Sequence, residues 1–574
     1  MDYLFAIVNI ALLIVVHEFG HFVVARMCGV YTPVFSVGFG RRLWGIDLWG
    51  TDFRISAIPF GGYVRMAGAD PFGYSEEDDN LPDPSMGFMQ KPLWQRIAIL
   101  LAGPGANVLY AVSVITVALM VGEPKELPEV GTVVPDTVAE RSGFLPGDRI
   151  IDINGRSVAT WGQIDALVPS LGESNTVVVE RDGTQVELEV AVTEADRKAH
   201  PDGRKVPFGI LNERPSSRVG VDDSHSPAGV AGIEAGWGIA KVGDTEVHDW
   251  LDVERAFREL GDAGGVELAM KRLDMEKEEV VDLSVQLVRS AWTTSDAGTS
   301  AAAAWGLRPG VLFVGTVHEQ VSDAHGFLAG CRSRPHARVA PAVAGGVERG
   351  DRMLSIDGHP LHRWADVSRY VTAAFNPDTP NEPPRTIILT VRRDGALHDL
   401  ELLPEVVADH DVTGRNQVRA VIGVGPVSGN RVGPTTPVYY AFPDALSISI
   451  DENVRVAKLS VERIGEVITG AAAFDQSFGG PFAMLSAGAA AAADGLFTMA
   501  RLSALISLSL GVVNLVPIPV LDGGQIIFFV IEAVRGRPIS AAMRERVLQI
   551  AVLAMVLLML AVTIKDIDQW LFSR

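Results

Sequence analysis

"LLIVVHEFGHFVVARM", residues 12–27, has the composition of a membrane-spanning helix with the wrong residues in its middle. A helix of roughly 20 apolar residues crosses the hydrocarbon core of a bilayer. Each charged group placed there costs ~2.5–3.5 kcal/mol even on the lenient insertion scale, so His17, Glu18 and His21 need a compensating partner. The two histidines stand four apart, on one helical face and one turn from each other, so both can reach a single ion. Glu18 projects beside them, placed to take a proton from a water held by that ion. The rival explanation is three polar groups satisfied inside a helix bundle. Three such groups in one span make it the weaker one.

The rest of the chain has to fit that reading. It has 574 residues, enough for several domains. Its net charge of −21 argues against a nucleic-acid partner, which would call for a basic surface. It holds two cysteines, Cys28 and Cys331, too few for a disulfide framework or a thiolate zinc cluster. Histidine and carboxylate must therefore supply any metal ligands.

Four apolar runs are long enough to cross a bilayer: residues 3–25, 97–121, 496–521 and 547–564. The first lacks the basic start and small-residue cleavage site of a signal peptide and is read as retained. The stretch after the first run carries Arg26, Arg41, Arg42, Arg54, Arg65, Lys91 and Arg96, and that after the third carries Arg535, Arg537, Arg544 and Arg546. The positive-inside rule puts both on the cytoplasmic side and the long stretch between runs two and three outside.

A catalytic zinc wants three protein ligands and one open position. "NLVPIPVLDGGQ", residues 514–525, offers Asp522 at the end of the third run, just after Pro517 and Pro519 break the helix. A broken helix at membrane depth is tolerated where protein or a water cavity satisfies its backbone. Taken alone, Asp522 reads as an ordinary helix-terminal turn; beside two unpaired histidines it reads as a ligand. "GPGAN", residues 103–107, has small residues suited to close helix packing, and is read as packing rather than chemistry.

Residues 35–68 alternate apolar, aromatic and glycine residues as hairpin strands do, and residues 69–87 read as an acidic, proline-containing connector. The exterior stretch repeats itself. "SGFLPGDRIIDINGRSVATWGQIDALV" matches "GGVERGDRMLSIDGHPLHRWADVSRYV", with a degenerate middle copy, "AGIEAGWGIAKVGDTEVHDWLDVERAF". The pairs Gly143/Gly147, Gly232/Gly236 and Gly346/Gly350 keep one spacing, and Trp161, Trp250 and Trp364 follow at one offset. Each copy reads as strand, tight turn, short strand and helix. The copies resemble PDZ domains of the bacterial protease type.

"HEFGH", "FSVGFG", "IPFGGYVRMAG", "GPGAN" and "NLVPIPVLDGG" occur in that order. Together they resemble the site-2 protease family of intramembrane zinc metalloproteases, in the regulator of sigma-E protease branch. That resemblance implies one Zn2+ held by His17, His21 and Asp522, with Glu18 as catalytic base. It implies a membrane-re-entrant β-hairpin around residues 35–66, substrate contacts at Gly61, Gly62 and Tyr63, and an Asn514 side chain that holds extended substrate. The implied substrate is a transmembrane segment of a pre-trimmed single-span protein, an anti-sigma factor or signal-peptide remnant, cleaved in regulated intramembrane proteolysis. The chain departs from the branch in three PDZ-like units instead of two, in Ser509 where an asparagine is expected, and in Gln525 where histidine is common.

The expected fold is an α-helical polytopic membrane protein of four spans, with a cytoplasmic-side re-entrant β-hairpin and inserted PDZ-like α+β domains. In order these are a first span (1–28), a cytoplasmic loop with the hairpin (29–94), a second span (95–122), PDZ-like units at 126–210, 211–290 and 305–408, interfacial helices (440–495), a third span (496–521), a cytoplasmic loop with "LDGG" (522–546) and a fourth span (547–566). The expected location is the bacterial cytoplasmic (inner) membrane, with the units outside, able to bind peptide C-termini, and the zinc site near the cytoplasmic face. A membrane-anchored PDZ scaffold without proteolysis is the alternative. It has no use for an intact H-E-x-x-H. A metal transporter would show repeats among its spans, and a serine protease would show a nucleophile motif.

Overall fold

The computed structural model describes all residues except 1, 69–82, 169–170, 195, 197–208, 262, 275–278, 291, 293–299, 322–337, 377–381, 411–415, 428–429, 432, 470–480, 538 and 573–574. Most of the acidic connector, Cys331 and part of the stretch at 290–305, whose composition reads as a linker between units two and three, lie outside the described residues.

Among the described residues, seven long helices form the helical half of the protein: α1 (Asp2–Met27), α2 (Leu93–Gly122), α3 (Phe442–Thr469), α4 (Pro481–Asp494), α5 (Leu496–Asn514), α6 (Asp522–Arg535) and α7 (Ala541–Phe572). Three described helices, Ile7–Met27, Leu93–Gly122 and Leu496–Asn514, are long and apolar enough to cross a membrane. Only 22%, 33% and 28% of their apolar windows are buried inside the protein. Apolar faces left open on that scale match a lipid surrounding. The expected fourth span falls within α7.

Helices α1, α2 and α5 pack together, with α3 along α2 and α5 and with α4 against α1. Gly20 sets the crossing of α1 and α2: a Cβ there would stand 2.2 Å from the Ala102 carbonyl oxygen. The third candidate span is shorter than the sequence implied. It ends at Asn514, because Pro517 and Pro519 follow, and residues 515–521 form a turn. The segment expected as a loop at 522–546 is largely helical, since Asp522–Arg535 forms α6. Gly523 and Gly524 allow that re-entry into helix: a Cβ on either would lie within 2.2 Å of the Leu515 or Ile518 carbonyl oxygen.

Between α1 and α2, β1 (Val34–Leu48) and β2 (Thr51–Arg65) join through Trp49 and Gly50, both at positive φ. The hairpin folds on itself. Residues 34–37 pair with 62–65 on one side and with 52–55 on the other, and 42–48 pair with 51–56. The segment 62–65 is thus left at an edge of the sheet, against α1.

The part between α2 and α3 that holds the repeats opens and closes on one ribbon, Glu123–Glu126 paired with Thr435–Val438, which ties its two ends to α2 and α3. Three similar units hang from it. In unit one, strand Arg149–Ile153 turns through Asn154 and Gly155, at φ 53° and 78°, into Arg156–Ser157, followed by helix Trp161–Leu167 and hairpin Ser174–Arg181/Thr184–Ala191. Units two and three repeat this with helices Trp250–Leu260 and Trp364–Thr372. Each builds its own core, around Ile150, Ile164 and Val179, around Val253, Phe257 and Leu268, and around Met353, Val367 and Leu389.

Two unit boundaries differ from those read in the sequence. Unit two runs past residue 290: Ala302, Trp305 and Leu307 belong to its core, Trp305 packs 5.8 Å from Phe257, and Arg308–Pro309 pairs with Val219–Gly220. An alanine-rich stretch that reads as linker is therefore packed structure. Unit three runs past 408, with Ala420 and Ile422 in its core and Val424–Pro426 paired with Val314–Val317.

The degenerate middle copy has a physical compensation. In unit one Arg181 grips the buried Asp148 through two bonds of 2.7 Å, and in unit three Arg393 grips Asp351 through two of 2.6 Å. Unit two has Trp237 at the aspartate position. Arg272, at the matching arginine position, sits over the indole at 5.6 Å, a cation–π contact in place of an ion pair.

Candidate metal centre

His17 and His21 project from α1 toward α2, and the first turn of α6 brings Asp522 to meet them. Nε2 of His17 lies 3.1 Å from Nε2 of His21, and the two lie 3.3 and 3.5 Å from Asp522 Oδ2. Both histidines are buried. Asp522 Oδ2 is buried without a hydrogen-bond partner. Three electron-rich atoms converge here, which is stable only around a positive charge. Ligand atoms at ~2.0–2.2 Å from a tetrahedral ion stand roughly 3.3–3.5 Å from one another. The observed sides, 3.1, 3.3 and 3.5 Å, come close to that size, so the residues fit zinc with only a slight spreading of the two imidazoles. Among the described residues, this is the one group of three or more His, Cys, Asp or Glu side chains that converges so.

The surrounding residues set which nitrogen faces the centre. His21 Nδ1 lies 2.8 Å from the Ile99 carbonyl oxygen. A carbonyl only accepts, so Nδ1 carries the proton and Nε2 keeps its lone pair. Pro104 interrupts the hydrogen-bond ladder of α2 one residue further on, at the Leu100 carbonyl. His17 Nδ1 faces the side-chain amide of the fully buried Asn107 at 3.1 Å, while the other end of that amide has no partner. Amide oxygen and nitrogen are assigned from hydrogen bonding. With its oxygen toward His17, Asn107 accepts from Nδ1–H and leaves Nε2 as the ligand atom. Gly103 makes the room: a Cβ there would lie 2.2 Å from His21 Nε2 and 2.8 Å from His17 Cε1. Gly103 and Asn107 are four apart and share a face of α2, so "GPGAN" is the second wall of the site as well as a packing motif. That the asparagine sits four residues from a glycine, in the middle of an apolar run, was the signal available in the sequence.

Glu18 lines the same cavity of about 400 Å³ as the two histidines, Asp522, Asn514 and Gln525. Its Oε2 accepts the Val64 backbone N–H at 3.0 Å, which docks the hairpin edge beside it. Asn514, the last residue of α5, places Nδ2 3.3 Å from His17 Nε2. The three hairpin residues divide. Gly62 lies against α1, where a Cβ would stand 3.7 Å from Glu18 Cγ. Tyr63 stacks on Phe39 at 5.9 Å and its hydroxyl accepts from Arg54, while Gly61 at φ 105° lies under the Phe39 ring. Val64 and Met66, which sequence reasoning passed over, line the cavity in their stead.

This assembly has the parts of a hydrolytic metal site: converging ligands, a carboxylate beside them, a side-chain amide and a strand edge. Residues 5–559 match Peptidase family M50. The chain belongs to peptidase family M50. It is 26% identical over 566 residues to the regulator of sigma-E protease RseP of Escherichia coli K12, covering 96% of this chain and 95% of that one. It is 27% identical over 575 residues to NMA0084 of Neisseria meningitidis serogroup A, which carries a zinc metalloprotease name, covering 100% and 99%. RseP of Yersinia pestis matches at 26% identity over 96% of this chain and 95% of its own. A PDZ domain protein from Parabacteroides distasonis overlaps 52% of the chain and 95% of its own at 11% identity, with a TM-score of 0.13, too low to bear on the fold. As a site-2 type M50 peptidase, the chain is an intramembrane zinc metalloprotease, and the scaffold alternative falls.

Proposed function

We propose that His17, His21 and Asp522 hold the zinc, that Glu18 is the catalytic base, and that the enzyme cleaves an unwound transmembrane segment of a single-span protein. The observation that carries this is the triangle of His17 Nε2, His21 Nε2 and Asp522 Oδ2, with sides of 3.1, 3.3 and 3.5 Å, in a cavity that Glu18 shares. Bound zinc supplies an acidified water and a polarised peptide carbonyl. Glu18 accepts the proton of the attacking water and passes it to the leaving amine nitrogen. Asn514 donates its amide hydrogens to the substrate carbonyl. A helical substrate hides its peptide bonds in its own hydrogen bonds, so it has to extend before cleavage. The edge at residues 62–65 holds the extended segment by strand addition, with Gly61, Gly62 and Tyr63 forming the substrate-binding stretch.

Several further points rest on the family resemblance. The substrate is a trimmed anti-sigma factor-like protein or signal-peptide remnant. The hairpin is re-entrant and α7 is a fourth span. The PDZ-like units lie outside the bacterial inner membrane, where they exclude bulky ectodomains or bind peptide C-termini, and the zinc lies near the cytoplasmic face. The positive-inside distribution of Arg26, Arg41, Arg42, Arg535 and Arg537 supports that orientation. The test is cleavage of a reconstituted single-span substrate by Glu18→Gln. Loss of cleavage with zinc retained is expected; retained cleavage contradicts the assignment of the base.

A further inference from the structure

At the end of the bundle where the basic loops gather, the fully buried ring of Phe529 lies between α2 and α7 and carries two arginines. The Cζ of Arg96, in the first turn of α2, lies 4.5 Å from the ring centre, and that of Arg544, in the first turn of α7, lies 5.8 Å from it. The guanidinia are no further apart than the sum of those distances. Neither forms an ion pair with a carboxylate of the described residues. Arg96 reaches only Met89 Sδ, at 3.9 Å, and the Nε of each arginine is buried without a hydrogen-bond partner. Glu532 is within electrostatic reach of Arg544, yet its Oε1 accepts the Ile539 N–H, and one carboxylate cannot neutralise two guanidinia. Two like charges share one aromatic ring, with donors unspent.

We propose that Arg96 and Arg544 bind the phosphate of an anionic phospholipid headgroup. The planar guanidinium fork matches phosphate oxygens, and basic pockets between transmembrane helices at the cytoplasmic side take such headgroups. Trp94, in the same turn as Arg96 and 66% exposed, marks headgroup depth. On the helices that carry Phe529 and Arg544, Ile527, Val530 and Met543 are exposed, an apolar flank for acyl chains that a free phosphate would leave bare. The site adjoins the metal centre along both helices. Phe529 lies two turns after Asp522 on α6, and Arg96 lies one turn before Ile99, whose carbonyl holds His21.

The test is native mass spectrometry of the full chain released from detergent after incubation with equal phosphatidylglycerol and phosphatidylcholine. The wild type retains phosphatidylglycerol in about tenfold preference, and Arg96→Gln/Arg544→Gln loses that preference, two surface charges being worth at least that factor. Arg535→Gln/Arg537→Gln, which removes two basic residues outside the cluster, keeps it. Thermal melting of each variant in the same detergent verifies the fold. The single variants Arg96→Gln and Arg544→Gln each show a partial loss and stand in if the double variant melts early. Equal retention of the two lipids, or undiminished preference in folded variants, overturns the proposal. Displacement of phosphatidylglycerol by inorganic phosphate as readily as by soluble glycerophosphoglycerol assigns the site to free phosphate and overturns the lipid reading.

Discussion

Gly103 and Asn107 do the least visible work at the metal centre. Gly103→Ala would improve the helix propensity of α2, yet its Cβ would occupy the space 2.2 Å from His21 Nε2. Zinc retention and proteolysis are expected to fall together while helix content holds, read by zinc per protein after dialysis against a chelator and by circular dichroism. Asn107→Leu keeps the volume and removes the partner of His17 Nδ1. Loss of such an outer partner weakens metal affinity ~10–100-fold, so Asn107→Leu is expected to lose zinc at correspondingly lower chelator concentration, and to alter the visible spectrum of the cobalt-substituted protein. An unchanged chelator titration would show that Asn107 only packs.

Among elements, the hairpin edge and the arginine clasps make separable demands. Gly61→Val puts a branched side chain at φ 105° and into the Phe39 ring, 2.2 Å from the first added carbon. It is expected to lower cleavage of a helical substrate and leave zinc content unchanged, because no ligand moves. In the units, Arg181→Met strands Asp148, whose side chain is 1% exposed. Removing one partner of a buried pair costs ~3–5 kcal/mol, with the lower end expected here because Arg181 stays partly exposed. Arg272→Met forfeits only a cation–π contact of about 0.5–1 kcal/mol. Hydrogen exchange of the full chain is expected to show unit one destabilised far more than unit two. The sequence carried the local parts of this architecture well. The four-residue spacing in "HEFGH", the prolines before Asp522 and the turns at Asn154-Gly155 and Asp357-Gly358 each impose a local geometry. It carried long-range closure poorly. Nothing local in "SAAAAWGL" says that Trp305 belongs under Phe257, and nothing in the "DGG" run says that two glycines let α6 begin against Leu515 and Ile518 rather than prolong a loop. The short strands that close each unit, Ile210–Leu211 on Thr132–Val133, Arg308–Pro309 on Val219–Gly220 and Val424–Pro426 on Val314–Val317, are illegible in the sequence for a similar reason. Gly209-Ile210, Gly306-Leu307 and Gly423-Val424 recur with φ of 90°, 79° and 81°, but each lies far along the chain from the copy it completes.

Across the whole molecule, two ion clusters, one half-buried and one around a buried aspartate, hold the three units in series. Arg214 bridges Glu129 of unit one and Asp249 of unit two at 2.7 and 2.9 Å. The buried Asp222 receives Arg308 of its own unit at 3.4 Å and Arg352 of unit three at 3.1 Å. Asp222→Ala leaves both arginines without their shared carboxylate. It is expected to broaden the distance distribution between spin labels on units two and three, and a distribution as narrow as the wild type's would place the rigidity elsewhere. The central claim concerns the other end of the molecule, where three side chains separated by some 500 residues of sequence meet. Its most direct test is to measure zinc content and cleavage together in purified full-length Glu18→Gln and Asp522→Ala. Glu18→Gln is expected to hold one zinc and cleave nothing, and Asp522→Ala to lose both zinc and cleavage. Stoichiometric zinc in Asp522→Ala, or cleavage by Glu18→Gln, would contradict the account.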